Sequence, residues 1–208
     1  LSSRREYTKI NPFVVLLGKG EHAITSSWAD EDGDEVVTTI GITRSNVTFL
    51  GTGKDTTTVL GGFRFDNLEN ITFKQMTVTN RSQFGDGIRM SNAKLELIDV
   101  ALKGCFGFAL AIPASDTSET TVVATRCEFA NSEYGAGVGD ILTTATFNNC
   151  VFNDNRSHGI FGSNSTIHLH GEATAIHSNG RNGISALNSC KVIIHLPSHH
   201  NTSYNNGG

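Results

Sequence analysis

One pattern of apolar residues is shared by ITFKQMTV (71–78), LELIDVAL (95–102), VVATRCEF (122–129) and ATFNNCVF (145–152). In each stretch, apolar residues occupy the first, third, sixth and eighth positions. Because alternate side chains of a strand point to opposite faces, the pattern predicts two short strands that meet at a corner, where one extra residue turns the chain.

The same pattern recurs along most of the chain. Successive repeats begin 22 to 27 residues apart, a spacing typical of one coil of a solenoid. All 14 residues at the first and third positions of the seven repeats are apolar, although only 38% of the chain is hydrophobic, so chance is a poor explanation. The repeats begin at Val47, Ile71, Leu95, Val122, Ala145, Ile167 and Val192.

A third apolar segment, led by glycine, follows in most repeats and predicts three strands per coil. We therefore expect an all-β fold, a single-stranded parallel β-helix of about seven to nine coils of ~24 residues. An antiparallel sandwich would instead need hairpins with two-residue turns about every 8–12 residues, and such turns are scarce here. The glycine-led segments begin at Gly87, Gly107, Gly137, Gly159 and Gly183.

Composition narrows the range of partners. Only 17% of residues are charged, the formal net charge is −4, and the 16 Lys and Arg residues are scattered. Nucleic-acid binding calls for a clustered basic face and is not expected. No apolar run approaches the ~18 residues of a membrane span, so membrane insertion is not expected either. We predict one domain over residues 1–208; the missing initiator Met and signal-peptide core suggest a processed or excised piece.

Several regions depart from the repeat. Residues 1–12 precede it and could cap the first coil, and the segments 25–37 and 111–121 are predicted loop insertions. The acidic run at 30–35 could bind Ca²⁺, but its spacing does not match an EF-hand loop, so a solvated loop is favoured. The chain stops within a coil at SYNNGG (203–208), so we expect a further segment, a cap, or self-association through exposed coil ends.

Two of the four cysteines align within the repeat. Cys127 and Cys150 occupy the position of Met76 and Val100, which places both inside the solenoid on adjacent coils, ~4.8 Å apart. Stacked buried thiols are favoured over a disulfide between coils. No Cys or His spacing typical of a zinc site is present.

Asparagines recur near the second corner of the coil. Stacked amides there could form a ladder that satisfies buried backbone groups. The residues expected in it are Asn80, Asn131, Asn153 and Asn201.

Outward residues of stacked coils form columns, and the columns beside the first strand are polar. Asp99 and Arg126 should lie within pairing distance as a surface ion pair. His168 and His170 share one side of a strand with His195 on the next coil; they could bind a metal or act as acid and base, but solvated histidines are favoured and no metal is assigned. The columns are Lys74, Ile98, Thr125, Asn148, His170 and His195, and Gln75, Asp99, Arg126, Asn149 and Gly171.

The third strand offers less chemistry. Glycoside hydrolysis needs two carboxyl groups about 5–10 Å apart, and no such pair is found on one face. Asp86 and His158 come just before two of the glycine-led strands. The expected outward residues are mostly small or uncharged, namely Arg89, Gly139, Phe161 and Ser185.

Some stretches resemble a known family. The segment NVTFLGTGKDTTTVLGGF (46–63) looks like the opening coils of pectin methylesterases, whereas NRSHGIFGSNSTIHLHG (155–171) and NGRNGISALNSCKVIIH (179–195) are similar to the repeats of carbohydrate-active β-helix proteins. The chain therefore resembles the pectin-lyase-like right-handed parallel β-helix superfamily over essentially its whole length. The resemblance implies a right-handed β-helix that engages carbohydrate.

The catalytic motifs of that superfamily are incomplete in this chain. Asn148 stands where similar pectate lyases have a calcium-binding aspartate, and His158 stands where pectin methylesterases have an aspartate before Ile-Phe-Gly. The Gly-His-Gly motif of polygalacturonases is replaced by Ser157-His158-Gly159.

We therefore expect a carbohydrate-engaging domain, extracellular or at the cell surface, that binds or processes a polysaccharide, anionic ones included. The alternative is a non-catalytic structural or adhesive solenoid. No catalytic residue is assigned; in lyase or epimerase chemistry His170 or His195 would be the base, and Arg126 and Lys74 would stabilise the charge. The expected substrate-binding residues are Lys74, Asp99, Arg126, Asn148, His170 and His195.

Overall fold

The structure is a computed structural model that describes residues 6–25, 27–29, 35–113, 119–195 and 203–208. Its regular elements are all β-strands, and no helix occurs within these ranges. In chain order the strands are β1 (Phe13–Leu16), β2 (Gly20–Ala23), β3 (Ser27–Ala29), β4 (Glu35–Val37), β5 (Thr39–Gly41), β6 (Val47–Leu50), β7 (Thr57–Leu60), β8 (Gly62–Asp66), β9 (Ile71–Thr79), β10 (Ile88–Ser91), β11 (Lys94–Lys103), β12 (Phe108–Ile112), β13 (Thr120–Thr125), β14 (Glu128–Ala130), β15 (Tyr134–Gly139), β16 (Thr143–Asn148), β17 (Val151–Asn153), β18 (Ile160–Ser163), β19 (Thr166–His170), β20 (Ala175–His177), β21 (Ile184–Leu187), β22 (Lys191–Ile194) and β23 (Ser203–Tyr204).

The strands form three faces of the solenoid. Within each face the neighbouring strands are parallel, which confirms the predicted parallel β-helix. The first face contains β1, β6, β13, β16, β19 and β22 with the first halves of β9 and β11; the second contains β2, β7, β14, β17, β20 and β23 with the second halves. The third face stacks β5, β8, β10, β12, β15, β18 and β21. Six turns connect those seven strands, slightly fewer than the predicted seven to nine coils.

The register agrees with the repeat read from the sequence. Ile71 pairs with Leu95, which pairs with Val122, and the same line continues to the later coils. In the part of the chain that the structure describes, the one antiparallel pair of strands is β3 with β4, inside the predicted insertion at 25–37. The sandwich alternative is therefore wrong.

The extra residue between the first and second strands adopts a left-handed conformation. A single residue with positive φ turns an extended chain through a sharp corner and leaves its own side chain pointing outward. The corner residues are Gln75 (φ 55°), Asp99 (53°), Arg126 (54°), Asn149 (53°) and Gly171 (88°).

The core is a column of large apolar side chains inside the coils. Phe129 lies parallel to Phe152, with ring centroids 4.7 Å apart, and Phe147 meets both rings edge-on. At the other end of the solenoid, Phe73 stacks on Phe49 at 4.9 Å. These pairs bury the period-two apolar positions on which the sequence prediction was based.

Cys127 and Cys150 lie inside adjacent coils as free, buried thiols, as predicted. The Cys150 thiol faces the carbonyl oxygens of Ala124 and Asn148, both at 3.5 Å. Its contact with the Cys127 thiol and its burial raise the pKa of Cys150, so it stays protonated.

An asparagine ladder exists, but it is built from other residues than those predicted. The Asn155 amide donates to the Asn179 side-chain oxygen (2.9 Å), and the Asn179 amide donates to that of Asn206 (2.9 Å). Asn155 also donates to the backbone carbonyl of Phe129, at the corner of the preceding coil. Of the expected members, Asn80 is buried but donates to the Asp86 carbonyl and not to a ladder asparagine. Asn131 is exposed and has a left-handed backbone conformation, and Asn153 lies within β17. Asn201 is outside the described residues.

The glycine register of the third face differs from the prediction at two coils. Ala109 and Gly135, rather than Gly107 and Gly137, align with the other leading glycines, which are Gly62, Gly87, Gly159 and Gly183. A Cβ at Gly159 would lie 2.7 Å from the Gly183 carbonyl oxygen, so the coils approach too closely there for a side chain. Gly137 is therefore the residue that aligns with Phe161, whereas Gly139, also outward and partly exposed, aligns with Ser163.

The remaining irregular regions are partly described. Within 6–12, the Tyr7 ring packs edge-on against Phe13 at 5.2 Å. Residues 30–34 and 114–118 fall outside the described ranges, so Ca²⁺ binding by the acidic run remains a prediction. Within the described residues, no helix is long and apolar enough to cross a membrane.

Candidate functional site

The polar column predicted beside the first strand is in register. Lys74, Ile98, Thr125, Asn148 and His170 are successive Cα partners on adjacent strands. His195 follows directly after β22, where its backbone N–H donates to the Leu169 carbonyl (3.0 Å). All six outward side chains are partly exposed, so they could meet a ligand.

The column does not form one pocket. Lys74 lines an open groove of about 380 Å³ on the first face, together with Thr72, Glu96 and Lys94. Arg126 instead lines a groove of about 460 Å³ that faces the second strand. The predicted site residues are therefore spread along the solenoid in separate surroundings.

Asp99 and Arg126 form the expected ion pair between adjacent coils. The guanidinium donates through Nε and Nη2 to the two carboxylate oxygens, both at 2.7 Å. This bidentate contact lowers the pKa of Asp99. Because Arg126 is exposed, the contact is a surface pair whose arginine is already engaged with a carboxylate.

Three histidines gather near the C-terminal end of the first face. His168 Nδ1 lies 2.8 Å from His195 Nε2, and the His170 and His195 rings stack with centroids 3.8 Å apart and planes at 8°. Burial lowers the pKa of His170, and the neighbouring charges of His195 and His168 add to this effect. The fold thus brings together His168, His170 and His195, the three histidines that the sequence analysis placed on one side of adjacent coils.

The third face carries a row of aromatic rings that the sequence prediction missed. Phe108 stacks on Tyr134 of the next coil, with centroids 4.4 Å apart and planes at 13°. Tyr134 continues to His158 (5.9 Å) and Phe161 (6.2 Å), and His158 lies nearly parallel to Phe161 at 6.1 Å. All four rings are partly exposed. We call these four residues the aromatic row.

The row exists because of the strand register. Asp86, Phe108, Tyr134 and His158 occupy equivalent positions of successive coils, two residues before the inward residue of the third strand. Phe108 lies flat across the neighbouring strand, over Gly137, where a Cβ would be 2.5 Å from the ring. Glycine at this position therefore makes room for the ring.

Charged groups stand at both ends of the row. The largely buried carboxylate of Asp86 accepts hydrogen bonds from the Phe108 backbone N–H (2.8 Å) and from Arg89 (3.1 Å), and desolvation raises the pKa of Asp86 despite them. At the other end, burial and the charge of the exposed Arg181 lower the pKa of His158. The His158 ring nitrogen accepts the N–H of Asn182 (3.2 Å).

A sequence signal for the row was present. Asp86, Phe108, Tyr134 and His158 are separated by 22, 26 and 24 residues, the coil repeat itself. The glycine alignment was off by two residues at Gly107 and Gly137, which separated these residues into different columns. Only the observed pairing of Leu110 with Ala136 aligns them.

One more cavity lies at the N-terminal end of the solenoid. It has a volume of about 330 Å³ and an apolar lining. Its lining includes Val15, Leu17, Ile24, Phe49 and Val59.

Comparisons with known proteins bear on the fold alone. No protein-family model matches the sequence, and no curated protein matches it. Among solved structures, the chain is similar to the A-modules of the mannuronan C-5 epimerases AlgE6 (13% identity, TM-score 0.38) and AlgE4 (12%, 0.36) of Azotobacter vinelandii, and to ORF18 of Geobacillus virus E2 (11%, 0.43). In the same order, the matches cover 95%, 95% and 93% of this chain and 69%, 70% and 52% of those chains.

The class of protein follows from the chain's own strand register, since likeness at this level carries no argument about activity. The protein is an all-β parallel β-helix with three strands per coil.

Proposed function

We propose that this β-helix binds a polysaccharide along its third face, across the aromatic row. The observation that carries the proposal is the stack of Phe108, Tyr134, His158 and Phe161. A sugar ring has an apolar face of C–H groups and a polar rim, so it can lie on an aromatic ring while its hydroxyl groups stay hydrated. A row that follows the solenoid axis presents several such platforms in line, as an extended chain requires.

The charges around the row favour an anionic chain. Arg181 is exposed beside His158 and can pair with an anionic group, whereas Arg89 at the other end is already paired with the Asp86 carboxylate. Guanidinium groups pair well with carboxylates, which uronate sugars carry on each ring. A polysaccharide partner fits an extracellular or cell-surface location, which is part of the same proposal.

The test is a binding panel on the full chain. Alginate, pectin and related uronans are compared with neutral glucans, with and without Ca²⁺, by affinity electrophoresis and calorimetry. We expect binding to a uronan, and weaker binding by Tyr134→Ala. Lys74→Ala on the first face is the matched control and should bind as wild type does.

The panel also decides between the two faces. Binding that is lost in Lys74→Ala but kept in Tyr134→Ala would move the site to the column predicted from the sequence. No binding to any glycan would overturn the proposal. Absorbance of unsaturated products, followed in the same samples, reports whether the chain also cleaves what it binds.

A structural or adhesive solenoid is the second candidate. The observation that favours it is the apolar cavity at the N-terminal end, because exposed apolar surface at a solenoid end promotes stacking of one molecule on another. Concentration-dependent assembly in light scattering, without binding to any glycan, would support this candidate over the first.

A further inference from the structure

Three imidazoles converge on the first face, away from the aromatic row. His168 and His170 are alternate residues of β19, so both side chains point outward, and His195 reaches them from the next coil. One ring nitrogen from each of the three lies within 4.8 Å of the others. The closest approach is 2.8 Å, between His168 Nδ1 and His195 Nε2.

The separation of these nitrogens fits a shared ion. Zn²⁺ binds histidine nitrogen at about 2.0–2.1 Å with tetrahedral geometry, which places two ligand nitrogens about 3.3 Å apart. The His168–His195 separation of 2.8 Å is somewhat shorter than that value, and one nitrogen from each ring lies within 4.8 Å of the others. To bind one ion, His170 and His195 must tilt out of their parallel stack (planes at 8°) so that their lone pairs converge, and the hydrogen bond between His168 and His195 must open.

We propose that His168, His170 and His195 form a binding site for one borderline transition-metal ion such as Zn²⁺. The three rings are only partly buried, so the fourth coordination position faces solvent. Three protein ligands and an open position are the arrangement of zinc sites that bind water or a substrate, whereas structural zinc sites have four protein ligands.

The donor set also defines which ions should bind. Imidazole suits Zn²⁺, Co²⁺, Ni²⁺ and Cu²⁺, whereas Ca²⁺ and Mg²⁺ require oxygen ligands. Among the described residues, no carboxylate forms an ion pair with the three histidines. The site should therefore ignore Ca²⁺ and Mg²⁺.

The site is independent of the proposed glycan surface, because it lies on the first face and the aromatic row lies on the third. Either proposal can fail without the other. The sequence analysis favoured solvated histidines and assigned no metal to them. The proposed site differs from that expectation.

Metal binding is tested on the full chain, prepared without a histidine tag and stripped of metal. Calorimetry with Zn²⁺ should give one ion per chain, and Co²⁺ should give the visible absorption of a tetrahedral complex that Zn²⁺ bleaches and millimolar Ca²⁺ does not. His168→Gln, His170→Gln and His195→Gln should each weaken binding by at least about tenfold, the loss that is typical even when only a residue hydrogen-bonded to a metal ligand is removed.

Two controls separate this cluster from other histidines. His177→Gln removes a ring that stacks on Tyr204 of the second face (4.9 Å) and should bind Zn²⁺ as wild type does. The double variant His199→Gln/His200→Gln removes two histidines that lie outside the described residues, and it too should retain the ion. Loss of binding in this double variant, with retention in the three cluster variants, would overturn the proposal.

A measurement on the unmodified protein complements the variants. Diethyl pyrocarbonate modifies accessible histidines, and mass spectrometry locates the modified residues. Zn²⁺ should protect His168, His170 and His195, while His177 stays reactive. Equal modification with and without Zn²⁺, or no saturable one-to-one binding, would refute the site.

Discussion

Phe108 of one coil lies parallel to Tyr134 of the next, with ring centroids 4.4 Å apart, and rests on the backbone of Gly137. The three residues come from neighbouring coils, so the stack depends on the register between β12 and β15. This relationship gives the third face its flat aromatic surface, and it can be disturbed without removing any ring.

Gly137→Ala should weaken glycan binding by about three- to tenfold. The new Cβ would lie 2.5 Å from the Phe108 ring, which must then leave Tyr134; aromatic pairs are worth ~0.5–1.5 kcal/mol, and 1.4 kcal/mol corresponds to about a tenfold change. Titration with the uronan identified in the panel measures the effect. Gly41→Ala is the control, because a Cβ at Gly41 meets nothing within 4 Å; equal affinities for the two variants would contradict the role of the stack.

Asn179→Ala should reduce the free energy of unfolding by about 2–4 kcal/mol, because it leaves buried ladder groups without partners at ~1–3 kcal/mol each. Asn179 donates to the Phe152 carbonyl (3.1 Å) and to Asn206, and it accepts from Asn155. Urea unfolding followed by circular dichroism gives the value. Asn148→Ala, on the outer surface, should stay within about 0.5 kcal/mol, and a similar loss in both variants would show that the ladder is not the cause.

Cys150→Val should cost less than about 1.5 kcal/mol of stability, as expected for an apolar exchange of similar volume. Val100 already occupies the equivalent inward position two coils away. Cys150→Asp should unfold the chain or destabilise it severely, because it buries a charge without a partner. In the native wild type, both Cys127 and Cys150 should react with a thiol reagent only after unfolding; rapid reaction in native buffer would contradict their burial.

The Asp99–Arg126 pair should make stability depend on pH in the acid range. Arg126 lowers the pKa of Asp99 below 3.8, so the folded state binds the proton more weakly than the unfolded state does. The stabilisation is therefore complete above that value and is lost as pH falls through the lower, folded-state pKa.

Arg126→Gln should consequently melt at a slightly lower temperature than wild type at pH 6–7, and at the same temperature near pH 2. Added salt should shrink the difference at neutral pH, because both groups are partly exposed. A difference between the two melting temperatures that stays constant from pH 7 to pH 2 would show that Arg126 acts through something other than Asp99. The variant Asp99→Asn should remove the same pH dependence.

Much of the first and second faces could be predicted from the sequence. Strand alternation assigns Ile71 and Phe73 to the inside and Lys74 to the outside, and the repeat then stacks each residue on its equivalent in the next coil. That reasoning is local and periodic, which is why it also located the Cys127–Cys150 contact and the Asp99–Arg126 pair correctly.

The third face required the tertiary structure. Between the second and third strands the coils differ in length, so the sequence does not show which glycine aligns with which; Ala109 replaces a glycine in one coil and shifts the apparent register by two residues. The aromatic row lies beyond this variable corner, whereas the ladder residues Asn155 and Asn179 lie within it, three residues after the inward Phe152 and Ile176.

The sequence by itself determined the parallel β-helix, because an apolar repeat of about 24 residues can bury its side chains only by stacking coils. Tertiary structure decided which side chains become neighbours across the variable corner, and how the rings of Phe108, Tyr134, His168 and His195 are turned. Contacts between coils depend on backbone pairing and on ring orientation, and neither is written in the spacing of apolar residues along one chain.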